Sequence, residues 1–273
     1  MFKAGWVVMF PKIVLIDNFN GCNLKCSICD HVNMTRPIKK MDFALYVKII
    51  DEIAEKNPSA RVWEIFFGDP FICNDMAERI RYAKDAGLTD VVLNTNGALM
   101  AKERSRTYVD AGLDCMYVGV DAFKKETYDK IRIGGDFNTV LKNVMDYREL
   151  TENIFVQFVE TELNIDEKED FIEFWKSIGI KVKIRPMVSW IGLVDNGKDA
   201  KQNTDTCYWY KNSMSICNDG RVALCACDIH CRFPVGSILE NSIEEVWKKM
   251  QLEESDVCKT CGDWEAASAK YHV

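Results

Sequence analysis

Gly21-Cys22-Asn23-Leu24-Lys25-Cys26-Ser27-Ile28-Cys29-Asp30 sets three cysteines at Cx3Cx2C spacing, just after the short apolar run Ile13 to Ile16. Thiolates ligate soft metals and iron–sulfur clusters, and three of them on one short loop can share one centre if the loop wraps around it. A structural zinc ion asks for four protein ligands. His31, two residues beyond Cys29, is a candidate fourth at a spacing unusual for zinc. A four-iron cluster held by three cysteines instead leaves one iron open to a ligand that is not protein.

Outward from this loop, short apolar runs alternate with helical patterns. Strands are expected at Ile13–Ile16, Val62–Phe67, Val91–Leu93, Cys115–Val120, Ile154–Val159 and Val182–Ile184. Between them, helices are expected at Asp42–Lys56, Met76–Ala86, Lys102–Ala111, Thr127–Ile131, Val140–Leu150 and Glu167–Ile178. Asp42 is a natural N-cap, and Gly87, Gly112 and Gly179 close helices. Regular strand–helix alternation gives parallel strands with right-handed crossovers, hence an α/β sheet or barrel. Six strands fall short of a complete eight-stranded barrel. Ligands in such sheets gather at the C-terminal strand ends, where the cysteine loop falls.

The loop resembles that of the radical S-adenosylmethionine (SAM) superfamily, in which Cx3CxΦC holds a [4Fe-4S] cluster and SAM chelates its fourth iron. The resemblance implies that Cys22, Cys26 and Cys29 are the cluster ligands and that Ile28, the Φ residue, packs near the adenine. It also implies a partial (β/α)6 TIM-like barrel, in agreement with the strand count. Phe66-Phe67-Gly68-Asp69-Pro70 looks like the family's GGEP motif, with Phe67 in place of the first glycine and Asp69 shorter than Glu. The expected role of Gly68 and Asp69 is to hold the amino group of SAM, although a plain turn would use the same residues. Asn94 and Asn96, within Asn94-Thr95-Asn96-Gly97, resemble the family's Thr-Asn-Gly strand end. Asp121 matches the acidic end of the fourth-strand pattern, with Gly119 where serine is frequent, and Tyr128 to Arg132 resembles the segment that follows. Gln157 is expected to face the barrel. Ribose or methionine contacts are the expectation for these polar residues.

After Arg185-Pro186 the alternation stops, and Asp195 to Asp205 reads as a linker. Cys207, twelve residues, Gly220, four residues and Cys225 match the opening of the SPASM and twitch auxiliary-cluster domains. Asn218-Asp219-Gly220 is a strong hairpin turn between Met214–Cys217 and Arg221–Cys225. Gly236 to Leu239 and the helix Ile243–Met250 resemble later parts of that domain, and Cys258-Lys259-Thr260-Cys261 supplies a CxxC pair. The sequence given ends twelve residues after Cys261 with no further cysteine. The resemblance therefore implies one fully ligated auxiliary [4Fe-4S] cluster on Cys207, Cys225, Cys258 and Cys261, the twitch form of β-hairpin plus helix. A zinc ribbon is the alternative for paired cysteines. Residues 1–195 are read as the barrel domain and 196–273 as the auxiliary-cluster domain.

The other cysteines divide. Cys217, Cys227 and Cys231 lie near the auxiliary cysteines in sequence; any of them is a candidate substitute ligand, and Cys217 and Cys227 are candidate hydrogen donors. Cys73 and Cys115 read as small buried hydrophobes. Arg185, at a strand end, is the candidate catalytic or substrate contact, with Trp190 and Glu160 beside it.

Composition bounds the rest. The 273 residues are 48% hydrophobic with a formal net charge of −7, enough for a full core and without a basic stripe for nucleic acid. No run suits a membrane span or a signal peptide, so twelve cysteines point to a reducing cytoplasm with thiols spent on metal. The resemblance implies an oxidoreductase using SAM, two [4Fe-4S] clusters and a low-potential donor such as flavodoxin or ferredoxin. Its substrate is a small molecule or peptide. Short twitch enzymes that oxidise an amino-cyclitol hydroxyl resemble the chain in length and cysteine layout, so oxidation of a small polyol or sugar is the first expectation. Few residues precede the cysteine loop, which tilts the expectation away from a leader-peptide substrate. A sugar or peptide epimerase with a thiol donor is the second, and a non-enzymatic iron–sulfur or zinc protein the third.

Overall fold

The computed structural model describes residues 10–196, 207–252, 255–259 and 261–264. Six parallel strands follow one another around an unclosed barrel: β1 (Ile13–Ile16), β2 (Arg61–Trp63), β3 (Asp90–Thr95), β4 (Cys115–Gly119), β5 (Ile154–Glu160) and β6 (Lys181–Pro186). The connecting helices are α1 (Phe43–Lys56), α2 (Met76–Asp85), α3 (Lys102–Asp110), α4 (Lys125–Ile131), α5 (Phe137–Arg148) and α6 (Lys168–Ser177). Alternation along each strand sorts its side chains. Val14, Ile16, Val62, Val91, Leu93, Met116, Val118, Val156 and Phe158 are fully buried and belong to the main hydrophobic core. Each contributes about 1.5–3 kcal/mol by burial. Their neighbours Leu15, Trp63, Asn94, Gln157, Lys183 and Arg185 line a cavity instead.

The local signals act as expected at α1. Asp42 accepts from the backbone N–H groups of Ala44 at 2.8 Å and Leu45 at 3.4 Å, and the helix buries Tyr46, Ile49, Ile50 and Ile53 along one stripe. β2 is shorter than the apolar run Val62–Phe67 suggested. It ends where Glu64 turns into the core and accepts hydrogen bonds from Asn18 Nδ2 at 2.6 Å and the Tyr46 hydroxyl at 2.7 Å.

The expected C-terminal hairpin forms as β7 (Ser213–Ile216) and β8 (Arg221–Ala223), preceded by the short helix α7 (Tyr208–Asn212). β7 also pairs in parallel with β1, and β9 (Gly236–Ser237) pairs with β8. The described residues thus form one sheet in the order β6-β5-β4-β3-β2-β1-β7-β8-β9. The hairpin extends the barrel sheet rather than standing apart from it. α8 (Ile243–Leu252) packs Ile243, Val246, Trp247 and Met250 into the same core. Most of the segment read as a linker lies outside the described residues. Among the described residues no helix is long and apolar enough to cross a membrane.

Candidate active site

The cysteine loop leaves the end of β1 and is pinned by backbone from distant parts of the chain. Lys25 and Ser27 donate to the carbonyls of Ile133 and Ile131, each at 2.9 Å, and Asp69 N–H donates to Gly21 at 2.8 Å. Gly68 sits at φ +117°, and a Cβ there would lie 2.6 Å from the Gly21 carbonyl oxygen. Glycine is therefore required both by the backbone and by the close approach of the two loops. Trp190 Nε1 donates to the Ile28 carbonyl at 2.9 Å.

A second clamp comes from the C-terminal part. His230 Nδ1 accepts from Thr35 N–H at 3.1 Å, which puts the ring proton on Nε2, and Nε2 donates to Asp30 Oδ2 at 2.7 Å. Asp30 directly follows Cys29. Arg36 donates to the Ile229 carbonyl at 2.8 Å and pairs with buried Asp17 at 2.6 Å. Sequence reasoning missed the contacts of His230 and Ile229 because their partners are some two hundred residues away.

Cys22, Cys26, Ile28 and Cys29 line a cavity of about 250 Å³ at the C-terminal strand ends. Phe67, Gly68, Asn94, Asn96, Gln157, Arg185 and Trp190, all singled out from the sequence, line it too. Among the described residues buried Asn94 Oδ1 and Gln157 Nε2 have no hydrogen-bond partner. Burial pushes the free thiol of Cys22 up to about 11 and that of Cys29 up to about 12. A bound metal is what draws such thiols into the thiolate form.

Two of the predicted SAM contacts are corrected. Asp69 is fully buried and does not line the cavity; its carboxylate accepts from Thr95 Oγ1 at 2.8 Å, Asn96 N–H at 2.9 Å and Phe71 N–H at 3.0 Å. Its role is to hold the Thr95-Asn96 strand end, from which Asn96 Nδ2 reaches Cys22 Sγ at 3.7 Å. Asp121 is likewise buried, at φ +60°, and is ion-paired with Arg132. Through that pair it directs Arg132, whose Nη1 donates to Cys26 Sγ at 3.6 Å. Gly119 has its explanation here: a Cβ would lie 1.9 Å from Arg132 Nη2. Glu160 pairs with Lys168 at 3.0 Å and is also absent from the cavity wall.

The auxiliary thiols are off the cavity wall; Cys207 and Cys225 pack with Val188, Trp190, Trp209 and Ala226, and Cys258 packs against the main core. Burial raises the proton affinity of Cys207, Cys258 and Cys261, and nearby Cys225 adds to it in all three, with Cys207 adding to it in Cys258 and Cys261. Cys227 belongs with them, since its N–H approaches Cys225 Sγ at 3.4 Å and its thiol senses Cys261. Cys217 does not. It is buried beside Cys231, against Phe66 and Ala223, and outside the cavity wall. The hydrogen-donor role expected for Cys217 is withdrawn on that ground, and for Cys227 its place among the auxiliary thiols favours a structural or ligating role. Asp263, just after Cys261, accepts from Ser189 N–H at 2.5 Å and Ile191 N–H at 3.0 Å, bracing the turn that carries Trp190.

Three thiols are one donor short of the four that a structural zinc ion takes, and His31 Nε2 is hydrogen-bonded to the Asn20 carbonyl at 2.7 Å. A cubane takes each thiol at a separate iron. Three thiols on one cavity, with unpaired polar atoms across from them, fit an iron–sulfur cluster with a small polar co-ligand.

The profile of the radical SAM superfamily matches residues 19–185. The chain belongs to the radical SAM superfamily. Residues 207–265 match the SPASM iron–sulfur cluster-binding domain, so this is a radical SAM enzyme with a SPASM-type C-terminal region, and both SAM and iron–sulfur clusters are implied. Its relatives include a probable GTP 3′,8-cyclase of Methanococcus maripaludis, 29% identical over 60% of this chain and 54% of that protein. Another is an AdoMet-dependent heme synthase of Methanosarcina barkeri, 28% identical over 62% of this chain and 48% of that protein. The chain spans about half the length of these curated relatives. Among solved structures, BtrN in complex with AdoMet and 2-DOIA has a TM-score of 0.67 at 18% identity, covering 95% of this chain and 96% of that one. Streptococcus suis SuiB bound to the precursor peptide SuiA has a TM-score of 0.75 at 12% identity, covering 94% of this chain and 71% of that one. At these identities the likeness is one of fold.

Lys183, Trp63 and Trp209 are among the wall residues that the sequence did not single out. A signal for Lys183 was present: Lys181-Val182-Lys183-Ile184-Arg185 repeats a basic residue at period two, which sets all three on one face of a strand.

Proposed function

We propose that this radical SAM enzyme oxidises a small polyol- or sugar-type substrate held between two [4Fe-4S] sites. Cys22, Cys26 and Cys29 would hold the SAM-binding cluster, and Cys207, Cys225, Cys258 and Cys261 the auxiliary one. When bound, SAM and the cluster on Cys22, Cys26 and Cys29 would together supply radical chemistry for hydrogen abstraction, and the auxiliary cluster would supply a nearby redox centre for the electron left behind. The chain's own residues bind, orient and exclude water. Asn94 Oδ1 and Gln157 Nε2 offer unpaired polar atoms to SAM or substrate hydroxyls, and Arg132 balances charge at Cys26. Trp63 packs on Tyr117 at 4.9 Å, and Tyr117 stacks on Phe155 at 5.0 Å, giving the cavity an apolar floor. Such a floor keeps water from a reactive species.

The observation that carries this reading is the cavity's position, with the loop thiols on its wall and Cys207 and Cys225 packed with the wall residues Trp209 and Ala226. The near-complete mutual coverage with BtrN, solved with AdoMet and 2-DOIA, supports a substrate on that scale. A thiol-donor epimerase is less favoured, because the cysteines on the described cavity wall are Cys22, Cys26 and Cys29. A flavodoxin- or ferredoxin-type reductant in the cytoplasm completes the proposal. The test is iron and acid-labile sulfide per chain after anaerobic reconstitution, with 5′-deoxyadenosine assayed on adding SAM and a strong reductant. About eight irons with cleavage supports the proposal, since each cubane carries about four. About four irons with cleavage removes the auxiliary cluster from it. Bound zinc without cleavage overturns it.

A further inference from the structure

The chain is acidic, with 42 Asp and Glu against 35 Lys and Arg, yet its cavity is not. No carboxylate side chain is among the wall residues, whereas Arg132, Lys183 and Arg185 are. Arg132 is paired with Asp121, as other inward-facing cations are with their own acids: Arg36 with Asp17, Arg79 with Asp75 and Arg61 with Asp90. Among the described residues Lys183 and Arg185 have no such partner. They alternate on β6, so both project into the lumen, at the far end of the barrel sheet from the strand that delivers the cysteine loop. Lys183 Nζ lies 5.3 Å from the Tyr117 ring centroid, and the Arg185 guanidinium lies 6.0 Å from that of Trp209. Aromatic faces hold the two cations in place and leave their hydrogens free to donate.

Two like charges in a half-enclosed space are costly unless a ligand brings the opposite charge. We infer that the substrate is an anion whose phosphate or carboxylate group seats between Lys183 and Arg185. The strain on the unliganded pair shows in Lys183 itself. Burial, then Arg185, then Arg61 push its ammonium down to about 8, against a weak opposing effect of Cys115 on β4. Burial likewise disfavours the charge of Arg185, against opposing effects of Cys227 and Asp121. An arriving anion offsets the cost of both charges. This inference rests on the cavity being the substrate site, and it narrows the polyol or sugar of the proposed function to one bearing an acidic group.

Calorimetry on the reconstituted wild-type enzyme with saturating SAM, at pH 7 and fixed ionic strength, tests it with inorganic pyrophosphate, malonate and neutral myo-inositol as probes. Saturable heat with pyrophosphate or malonate and none with myo-inositol at equal concentration is the expected result. The tighter of the two anions tells phosphate from carboxylate. Lys183→Met and Arg185→Met should each weaken that binding at least about tenfold, with Lys183→Arg close to wild type and iron content held in all three. Three results overturn the inference: equal response to myo-inositol, anion binding abolished by SAM, or variants that lose iron while keeping anion affinity. The second would assign the pair to the carboxylate of SAM and the third to charge balance at a cluster. Formation of 5′-deoxyadenosine by the wild type is scored separately, so the radical reading can fail while the anion site stands, and the reverse.

Discussion

Cys22, Cys26 and Cys29 lie on a loop open to the cavity, whereas Cys207, Cys225, Cys258 and Cys261 are off its wall, the first two packed against Val188 and Trp209. The first set has three thiols, with Asn96, Arg132 and the unpaired atoms of Asn94 and Gln157 nearby. The second has four, with Cys227 as a fifth and the apolar Val188 and Trp209 as cover. Donor number and surroundings change together. Three donors facing polar groups suit a centre that takes a further ligand from the cavity, and four under an apolar cover suit one that takes none. The two sets also differ in backbone setting, since Cys258 lies in the short helix Asp256–Lys259, and the shell around the thiols is the further difference between an open site and a closed one.

Removing the open set should have the largest effect. The Cys22→Ala/Cys26→Ala/Cys29→Ala variant should lose about four irons per chain and form 5′-deoxyadenosine at least about a thousandfold more slowly, about 4 kcal/mol in barrier. Undiminished cleavage would show that the comparison has the two sites reversed. Cys258→Ala/Cys261→Ala should also lose about four irons yet keep part of the SAM cleavage while substrate turnover stops, as quantified by deoxyadenosine against product.

Two substitutions sharpen the contrast in surroundings. Arg132→Gln strips the buried Asp121 carboxylate of its partner, with an expected cost of about 3–5 kcal/mol in urea unfolding. His230→Ala leaves Asp30 and the Thr35 N–H without their partner, an expected cost of about 1–3 kcal/mol. Its distinguishing readout is faster amide exchange confined to residues around 30–35, and protection equal to wild type there would rule out the clamp. The smallest effect concerns pH. Below about pH 8 Lys183 is charged and holds an anion; above it the charge is lost, so anion affinity should fall by up to about tenfold per pH unit. For stability the sign is opposite. The folded-state value lies below the unfolded one, so burying this charge costs stability below about pH 8 and the cost is relieved as pH rises toward the unfolded value. A pH-independent anion titration would exclude Lys183 from the seat.

The strand–helix order, the Asp42 cap, the hairpin and the cysteine loop were legible because each is written in adjacent residues. Asp69 and Asp121 show the limit of that reading. Both were read as ligand contacts, since an acidic residue at a strand end looks the same whether it faces out or in. Their inward direction depends on Thr95, Asn96 and Arg132, which only tertiary packing brings to them. The parallel seat of β7 on β1 was illegible for the same reason, because a hairpin signal says nothing about which third strand lies beside it.

That seat bears on how the protein is made. Ile13 pairs with Arg61 on one side and with Ser213 on the other, so one edge of β1 waits for residues synthesised some two hundred positions later. At about 5–20 residues per second this interval lasts about 10–40 s. Throughout it the cysteine loop hangs from a strand with a bare edge, and the His230 clamp on Asp30 does not yet exist. The arrangement of Cys22, Cys26 and Cys29 described above, clamp included, is therefore complete only in the finished chain, once β7 has closed onto β1.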